Sequence, residues 1–151
     1  VARRGARPGR GGIAMSARPN LTRNQSLVFD TLDGADEPLS AYTILDRLRD
    51  EGFRAPLQVY RALDKLIDCG LIHRIDSRKA FVACTHPGEH HGSAMIAFGI
   101  CESCARVWEF SDDVICERLQ GWAESEGFRP VRTSIEINGR CAECSRNEAR
   151  T

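Results

Sequence analysis

"APLQVYRALDKLIDCGLIHRID", residues 55–76, changes its hydrophobic period near its middle, and this change decides the fold. In the first part the apolar residues recur at helical spacing and would share one buried face: Val59, Leu63, Leu66 and Ile67. Pro56 suits the first turn of such a helix, and Gly70 suits its end. After Gly70 apolar and polar residues alternate, which is typical of a strand.

The flanking segments predict two more helices and a second strand. Thr22 and Gln25 form a Thr-x-x-Gln capping box at the start of the first helix, and Ser40 suits the N-cap of the second. Downstream, "LIHRID" and "KAFVAC" predict strands joined by the polar turn "DSR". Three helices followed by a β-hairpin predict a winged helix-turn-helix domain over residues 20–84.

The remainder of the chain predicts a smaller α/β unit, which makes the fold class α+β. "AMIAFGI", "RVWEF" and "RPVRTSIEI" have the pattern of strands, and "SDDVICERLQGWAESEG" that of an amphipathic helix capped by Ser111. A unit of about sixty residues is marginal for independent stability. We therefore expect a metal, a dimer or both to stabilise residues 93–151, with residues 85–92 as a hinge loop.

Charge is distributed unevenly, although 21 basic and 21 acidic residues cancel. Residues 1–19 hold five arginines, no acidic residue and almost nothing to bury, so a disordered basic tail is predicted. This tail would be either a DNA-binding arm or a segment that the folded protein does not need, with Met15 as an alternative start. Because the net charge is zero, any affinity for DNA would depend on a local basic face and on the tail.

The apolar runs and the cysteines indicate the compartment. No run approaches the ~20 residues of a membrane-spanning helix, and no secretory signal is visible at the N-terminus. A cytoplasmic location is therefore expected, where thiols stay reduced. The seven cysteines, an odd number, also fit a disulfide framework poorly. Metal binding explains them better.

Two Cys-x-x-Cys pairs, Cys101 with Cys104 and Cys141 with Cys144, are separated by 36 residues. Thiolates at this spacing can bind one tetrahedral Zn²⁺, and four of them leave no open position, so the zinc would be structural. A redox dithiol and four unrelated thiols are the alternatives. The redox alternative is disfavoured because neither pair begins a helix in a βαβ context. Cys69 and Cys116 are assigned to the apolar core.

A second group of potential ligands lies between the two predicted halves. All four histidines fall between residues 73 and 91, close to Cys84, and Glu109 follows in the next half. Taken alone, His73 could be an ordinary strand histidine, and "HPGEHH" could be a polar loop. Their concentration at the seam favours a metal site.

Three segments, "QVYRALDKLIDCGLIHRID", "CESCARVWEF" and "CAEC", resemble the ferric uptake regulator family of bacterial metal-dependent repressors. The resemblance covers about residues 20–145, and its motifs follow the family's order: Val-Tyr-Arg in the recognition helix, a histidine-bearing loop and the paired cysteines. It implies a DNA-binding winged helix followed by a dimerisation domain. The protein would be a regulator, not an enzyme, and a homodimer on double-stranded operator DNA.

Within that family the sequence is similar to the zinc uptake regulator branch. Iron- and peroxide-sensing members usually carry a His-His-Asp-His segment, where this chain has "HHGSAM". The resemblance implies a zinc-responsive repressor of zinc homeostasis genes, whose regulatory zinc has four ligands: His73, Cys84, His91 and Glu109. His90 could substitute for its neighbour, and His86 could belong to an additional weak site. A regulator that responds to iron, manganese or peroxide is the alternative.

The ligand chemistry supports zinc independently. Two imidazoles, one thiolate and one carboxylate suit tetrahedral Zn²⁺ better than octahedral Fe²⁺ or Mn²⁺. With the four-cysteine site, about two Zn²⁺ per protomer are predicted.

For DNA, the resemblance implies that Arg61 reads a purine in the major groove and that Tyr60 contacts the backbone or a thymine methyl. Tyr42 is a candidate second reader. For each tyrosine, packing in the core is the alternative. Four basic residues are candidate phosphate contacts or solvated surface charges: Lys65, Arg74, Arg78 and Lys79.

Overall fold

The structure of the protein is a computed structural model that describes residues 20–85 and 95–148. The predicted tail, residues 1–19, lies outside these ranges, as do His86, His90 and His91. Within the two ranges, no helix combines the length and the apolar character needed to cross a membrane.

The change of period in residues 55–76 marks the junction between a helix, α3 (Pro56–Asp68), and a strand, β1 (Ile72–Ile75). Val59, Leu63 and Leu66 are fully buried as predicted, and Ile67 is half-buried against the same core. Gly70 has a φ of 67°, a left-handed conformation that glycine adopts at little cost. The helix therefore ends where the strand pattern begins.

Two further helices, α1 (Arg23–Asp33) and α2 (Ala41–Arg47), complete a helical core with α3. The predicted capping box of α1 is present: Thr22 N–H donates to Gln25 Oε1 at 2.9 Å, and Gln25 N–H donates to Thr22 Oγ1 at 3.4 Å. Ser40 Oγ caps α2 by accepting Thr43 N–H at 3.1 Å. Local sequence signals thus define both helix starts.

The wing is a hairpin of β1 and β2 (Ala80–Ala83), joined by a 3-10 turn at Asp76–Arg78. Leu39, just before α2, extends the hairpin by exchanging backbone hydrogen bonds of 3.0 and 2.9 Å with Phe81. These bonds fix the wing to the helical core. The winged helix predicted for this half is confirmed.

The second half consists of β3 (Ile96–Cys101), β4 (Val107–Phe110), α4 (Asp113–Ser125), β5 (Ser134–Gly139) and α5 (Ala142–Glu148). Its sheet has the order β4-β3-β5, with β3 antiparallel to β4 and parallel to β5. Three details differ from the prediction. Of the strand predicted at "RPVRTSIEI", residues 129–133 are not part of β5, which begins at Ser134. The N-cap of α4 is Asp112, which accepts Ile115 N–H at 3.0 Å, rather than Ser111. The short helix α5 was not predicted.

The two halves meet along an apolar seam. Ile75 from β1 is fully buried against Phe98 and Ile100 from β3, each 3% exposed. Because this contact joins the wing to the sheet, His73 on β1 and Glu109 on β4 are brought close to one another.

Candidate metal centres

The four cysteines of the two pairs converge in space. Their Sγ atoms all lie within 4.8 Å of one another, and the Sγ atoms of Cys104 and Cys141 are 3.9 Å apart. A tetrahedron with Zn–S bonds of about 2.3 Å places its sulfurs about 3.8 Å apart. The cluster therefore fits a four-coordinate zinc with no open position.

The sheet brings the two pairs together. Cys101 ends β3, and the parallel register pairs it with Gly139 at the end of β5. Glu102 N–H donates to Gly139 O at 2.8 Å, which holds the two strand ends side by side. The chain then enters α5, where Cys144 lies one turn after Cys141. The 36 residues between the two pairs thus form one crossover connection through α4, which returns the chain to β3.

The pKa values of two thiols in this cluster are shifted in opposite directions. Hydrogen bonds from the backbone amides of Cys141 and Cys104 lower the pKa of Cys101 to about 6. The pKa of Cys144 moves the other way, to about 12, through its hydrogen bond with Cys141 and its burial. Neighbouring thiolates repel one another, and a divalent cation stabilises all four together.

A second cluster lies at the seam between the halves. The donor atoms of His73, Cys84 and Glu109 are all within 4.8 Å of one another. Glu109 Oε1 is 3.5 Å from His73 Nε2 and 3.6 Å from Cys84 Sγ. The structure thus brings three of the four residues implied for the regulatory site together. The fourth, His91, lies outside the described residues.

Thr85 orients the carboxylate of Glu109. Its N–H and Oγ1 donate to Glu109 Oε2 at 3.0 and 3.1 Å, which leaves Oε1 directed at the other ligands. Burial raises the pKa of Glu109, but hydrogen bonds with His73 and Thr85 outweigh this effect and lower the pKa to about 2. Glu109 is therefore ionised at neutral pH. Such outer-shell hydrogen bonds fix the orientation of metal ligands.

The donor set at the seam fits Zn²⁺. An imidazole nitrogen, a thiol sulfur and a carboxylate oxygen are all zinc ligands, and the thiol disfavours hard cations such as Mg²⁺. The ring of His73 also lies 5.6 Å from the ring of Phe98, which limits its rotation. The sequence did not indicate Phe98 or Thr85 as parts of the site; the position of Thr85 directly after Cys84 was the only available signal.

None of the seven cysteines, all of which are among the described residues, forms a disulfide. Cys69 packs against the helical core, as predicted. Cys116 was assigned to a core, but it is half-buried on α4, where it accepts a hydrogen bond from Gln120 Nε2 at 3.5 Å. It belongs to neither metal cluster.

The three candidate DNA-reading residues all lie on the surface. Tyr42 is 63% exposed and Tyr60 is 41% exposed, so neither tyrosine packs in the core. Arg61 is exposed beside Tyr60, on the face of α3 opposite the buried stripe. The neighbouring Gln58 is engaged locally, because its Oε1 accepts Arg54 N–H at 2.7 Å.

A winged helix joined to a small sheet, with one cluster of candidate zinc ligands in the sheet half and another at the seam, defines a winged-helix protein with two candidate metal centres. Residues 18–138 match the sequence profile of the ferric uptake regulator family, and the chain belongs to that family. The ferric uptake regulation protein of Haemophilus influenzae is 30% identical over 67 residues, which is 42% of either chain. That of Legionella pneumophila is 35% identical over 57 residues. The chain spans about two fifths of the length of the curated relatives it matches.

Solved structures are similar over most of the chain. The crystal structure of holo XcZur is 36% identical, with a TM-score of 0.76 over 83% of this chain and 86% of that one. A zinc uptake regulator complexed with zinc and DNA is 32% identical, with a TM-score of 0.79 over 85% of both chains. The predicted family and fold class are confirmed, and the predicted zinc branch is supported.

Proposed function

We propose that the chain is a zinc-responsive transcriptional repressor that binds operator DNA as a homodimer and controls zinc homeostasis genes. The observation that carries this proposal is the convergence of His73, Cys84 and Glu109 across the seam. The similarity to a zinc uptake regulator complexed with zinc and DNA supports it. The protein acts in the cytoplasm as a regulator and not as an enzyme.

Each part of the chain would have its own role. Residues 20–84 bind DNA, residues 85–92 form the hinge, and residues 93–151 form the dimer and bind metal. The basic residues 1–19 are a tail. His91 completes the regulatory site, and the four-cysteine site is structural, so a protomer holds about two Zn²⁺.

Ligands from both halves would couple zinc to DNA binding. His73 and Cys84 belong to the wing, whereas Glu109 belongs to the sheet, and bound Zn²⁺ would supply a cross-link between them. The two recognition helices of a dimer must enter major grooves at matching half-sites, so their orientation determines affinity. A shift in population from 1:99 to 99:1 needs about 5.5 kcal/mol, less than the ~10–16 kcal/mol apparent for structural zinc.

The exposed face of α3 would read the operator. Arg61 would form a bidentate contact with guanine, which discriminates between bases by about 1–3 kcal/mol. Tyr60 and Tyr42, both exposed, would contact the backbone or thymine methyls. Buried Leu63 on the opposite face holds the helix in place, so the reading residues start from a rigid element.

The second half would supply the dimer interface. β5 lies at the edge of the sheet, and its Ile137 is 55% exposed. Four apolar side chains of α4 are also exposed, in a pattern that leaves one helix face uncovered: Val114, Ile115, Leu119 and Trp122. Exposed apolar patches and open strand edges are typical of interaction sites. A second copy of the chain would cover both.

A regulator that responds to iron, manganese or peroxide is the alternative within the family. The thiol of Cys84, 3.6 Å from Glu109 Oε1, favours zinc, because a thiolate ligand at an iron site is sensitive to oxidation. DNA binding that responds to Fe²⁺ and not to Zn²⁺ would contradict zinc sensing.

The first prediction concerns Cys84→Ala, which removes one ligand of the regulatory site. An operator is first selected from random double-stranded DNA with the zinc-loaded wild type. The wild type should then bind it with a steep dependence on buffered free Zn²⁺, measured by fluorescence anisotropy. Cys84→Ala should lose this dependence and retain about one Zn²⁺ per protomer, because the four-cysteine site is intact.

Arg61→Ala is the matched control for that experiment. It should retain both zinc ions and the dimer but bind the selected operator about 5- to 150-fold more weakly, the equivalent of about 1–3 kcal/mol. Unchanged operator affinity would contradict the assignment of α3 as the reading helix. An unaltered zinc response in Cys84→Ala would contradict the seam site.

A further inference from the structure

The wing is attached to the sheet at a second place, where no metal ligand takes part. Glu136 on β5 accepts Asp76 N–H at 2.6 Å with Oε1 and Ser77 N–H at 3.1 Å with Oε2. These two amides begin the 3-10 turn of the hairpin. One carboxylate from the sheet therefore caps the turn of the wing.

Arg132, two residues before β5, strengthens the same contact. Its Nη2 lies 2.6 Å from Asp76 Oδ2, while Arg74 Nε lies 2.8 Å from Asp76 Oδ1. The carboxylate of Asp76 is thus shared between an arginine of the wing and one of the second half. We call Asp76, Ser77, Arg132 and Glu136 the wing latch.

The strand register relates the wing latch to the seam cluster. Phe98 on β3 is the cross-strand partner of both Glu109 on β4 and Glu136 on β5, so the three form one row across the sheet. Each member of the row contacts the wing. Glu109 meets His73, Phe98 packs against His73 and Ile75, and Glu136 binds the turn after β1. A metal ligand and the wing latch occupy opposite ends of one contact surface.

We propose that the wing latch is a metal-independent attachment that holds the DNA-binding half in its present orientation and thereby sets the free Zn²⁺ concentration at which the repressor switches. This inference rests on the function proposed above and deepens it. The wing latch and the seam site favour the same arrangement of the two halves. Any contact that favours this arrangement before zinc binds lowers the zinc needed to populate it.

The geometry distinguishes the wing latch from an ordinary surface ion pair. Exposed ion pairs contribute little, because both side chains lose freedom in order to pair. Glu136 instead binds two backbone amides, and it does so beside the fully buried contact of Ile75 with Phe98. Charge-assisted hydrogen bonds to backbone N–H groups are stronger and more directional than neutral ones. The wing latch therefore restricts the orientation of the wing relative to the sheet, in addition to holding the two in contact.

The test is the zinc dependence of operator binding by Glu136→Ala. The half-saturating free Zn²⁺ concentration should rise about tenfold, the equivalent of about 1.4 kcal/mol. Operator affinity at saturating Zn²⁺ should stay within about twofold, and the zinc content should stay at about two per protomer. Glu136→Gln keeps one neutral acceptor for Asp76 N–H and should give a smaller shift.

Two further variants make the test specific. Arg132→Ala, at an exposed position, should shift the zinc midpoint in the same direction and provides a second test should Glu136→Ala disturb the sheet. Glu51→Ala removes an ion pair of 2.7 Å with Arg23 that lies wholly within the DNA-binding half, so the midpoint should not move.

The outcomes separate the wing latch from the proposed function. A zinc-responsive wild type with unchanged midpoints in Glu136→Ala and Arg132→Ala would overturn the wing latch. The same conclusion would follow if the variants only melted at lower temperature, equally with and without zinc. A wild type whose operator binding ignores zinc would overturn the proposed function instead.

Discussion

At the scale of single residues, the surroundings of each cysteine determine what it can do. Cys101 is 1% exposed at the end of β3 and accepts the N–H of Cys141 at 3.4 Å, which favours the thiolate that a metal needs. Cys69 is half-buried at the end of α3 and packs against the apolar core of the DNA-binding half. The same side chain is therefore a candidate metal ligand in one place and a small apolar residue in the other.

Because of this difference, we expect two cysteine-to-serine changes to affect the zinc content differently. Cys144→Ser should lose about one Zn²⁺ per protomer and lower the melting temperature, because the seven-residue α5 is too short to be stable by itself. Cys69→Ser should keep both metal ions. Zinc content after dialysis against a chelator, together with thermal denaturation, provides the measurement. Full zinc loading of Cys144→Ser would contradict a four-cysteine site.

The part that a residue plays was predictable where a short sequence spacing defines the site. It was not predictable where residues that are distant in the sequence come together. The two Cys-x-x-Cys pairs indicated their site by spacing alone. Thr85 and Glu136 gave no such signal, because their hydrogen bonds join residues 24 and 60 positions apart. The resemblance to the family supplied Glu109 as a candidate ligand, but only the folded chain shows that Thr85 orients its carboxylate.

At the scale of elements, α3 has two faces with separate tasks. Leu63 and Leu66 are fully buried and hold the helix against α1 and α2. Leu57 and Tyr60, 57% and 41% exposed, lie on the surface that would meet DNA. Substitutions on the two faces should therefore separate stability from recognition.

Two leucine truncations on α3 test this separation. Leu63→Ala should lower the free energy of unfolding by about 2–5 kcal/mol, because it removes buried apolar volume and leaves a cavity. Leu57→Ala, on the same helix but exposed, should change it by no more than about 0.5 kcal/mol. Urea denaturation with zinc present measures both. Equal changes in the free energy of unfolding for the two variants would contradict the assignment of Leu63 to the buried face of α3.

Among the elements, those with a clear apolar period were predicted and those without one were not. The helices α1 to α3 follow a helical pattern, and the five strands are either apolar runs, as in β2 and β3, or segments that contain polar residues between apolar ones. The sequence of α5, "AECSRNE", has no apolar stripe, so periodicity could not indicate it. The start of α4 was ambiguous because "SDD" offers three consecutive residues that can cap a helix, and the structure uses Asp112.

At the scale of the whole molecule, the arrangement of the two halves depends on contacts that no local pattern encodes. The wing meets the sheet through Ile75 and Phe98, flanked by the seam cluster on one side and the wing latch on the other. β5 lies at the edge of the same sheet. The helix α4, which precedes β5 in the chain, carries exposed apolar residues. The row that holds the wing is therefore built on a sheet that would also form the dimer. Movement at the seam would change the separation of two recognition helices.

Trp122→Glu tests the dimer on which this coupling depends. Trp122 is 54% exposed on α4 and lies 5.4 Å from the ring of Phe128, so a charge there would be buried in the proposed interface. The variant should sediment as a monomer at micromolar concentration, whereas the wild type should sediment as a dimer. Gln120→Glu adds the same charge at an exposed position of α4 and should stay dimeric. Trp122→Glu should also bind the operator more weakly, because half-sites about 34–36 Å apart need two joined recognition helices. A dimeric Trp122→Glu would place the interface elsewhere on the second half.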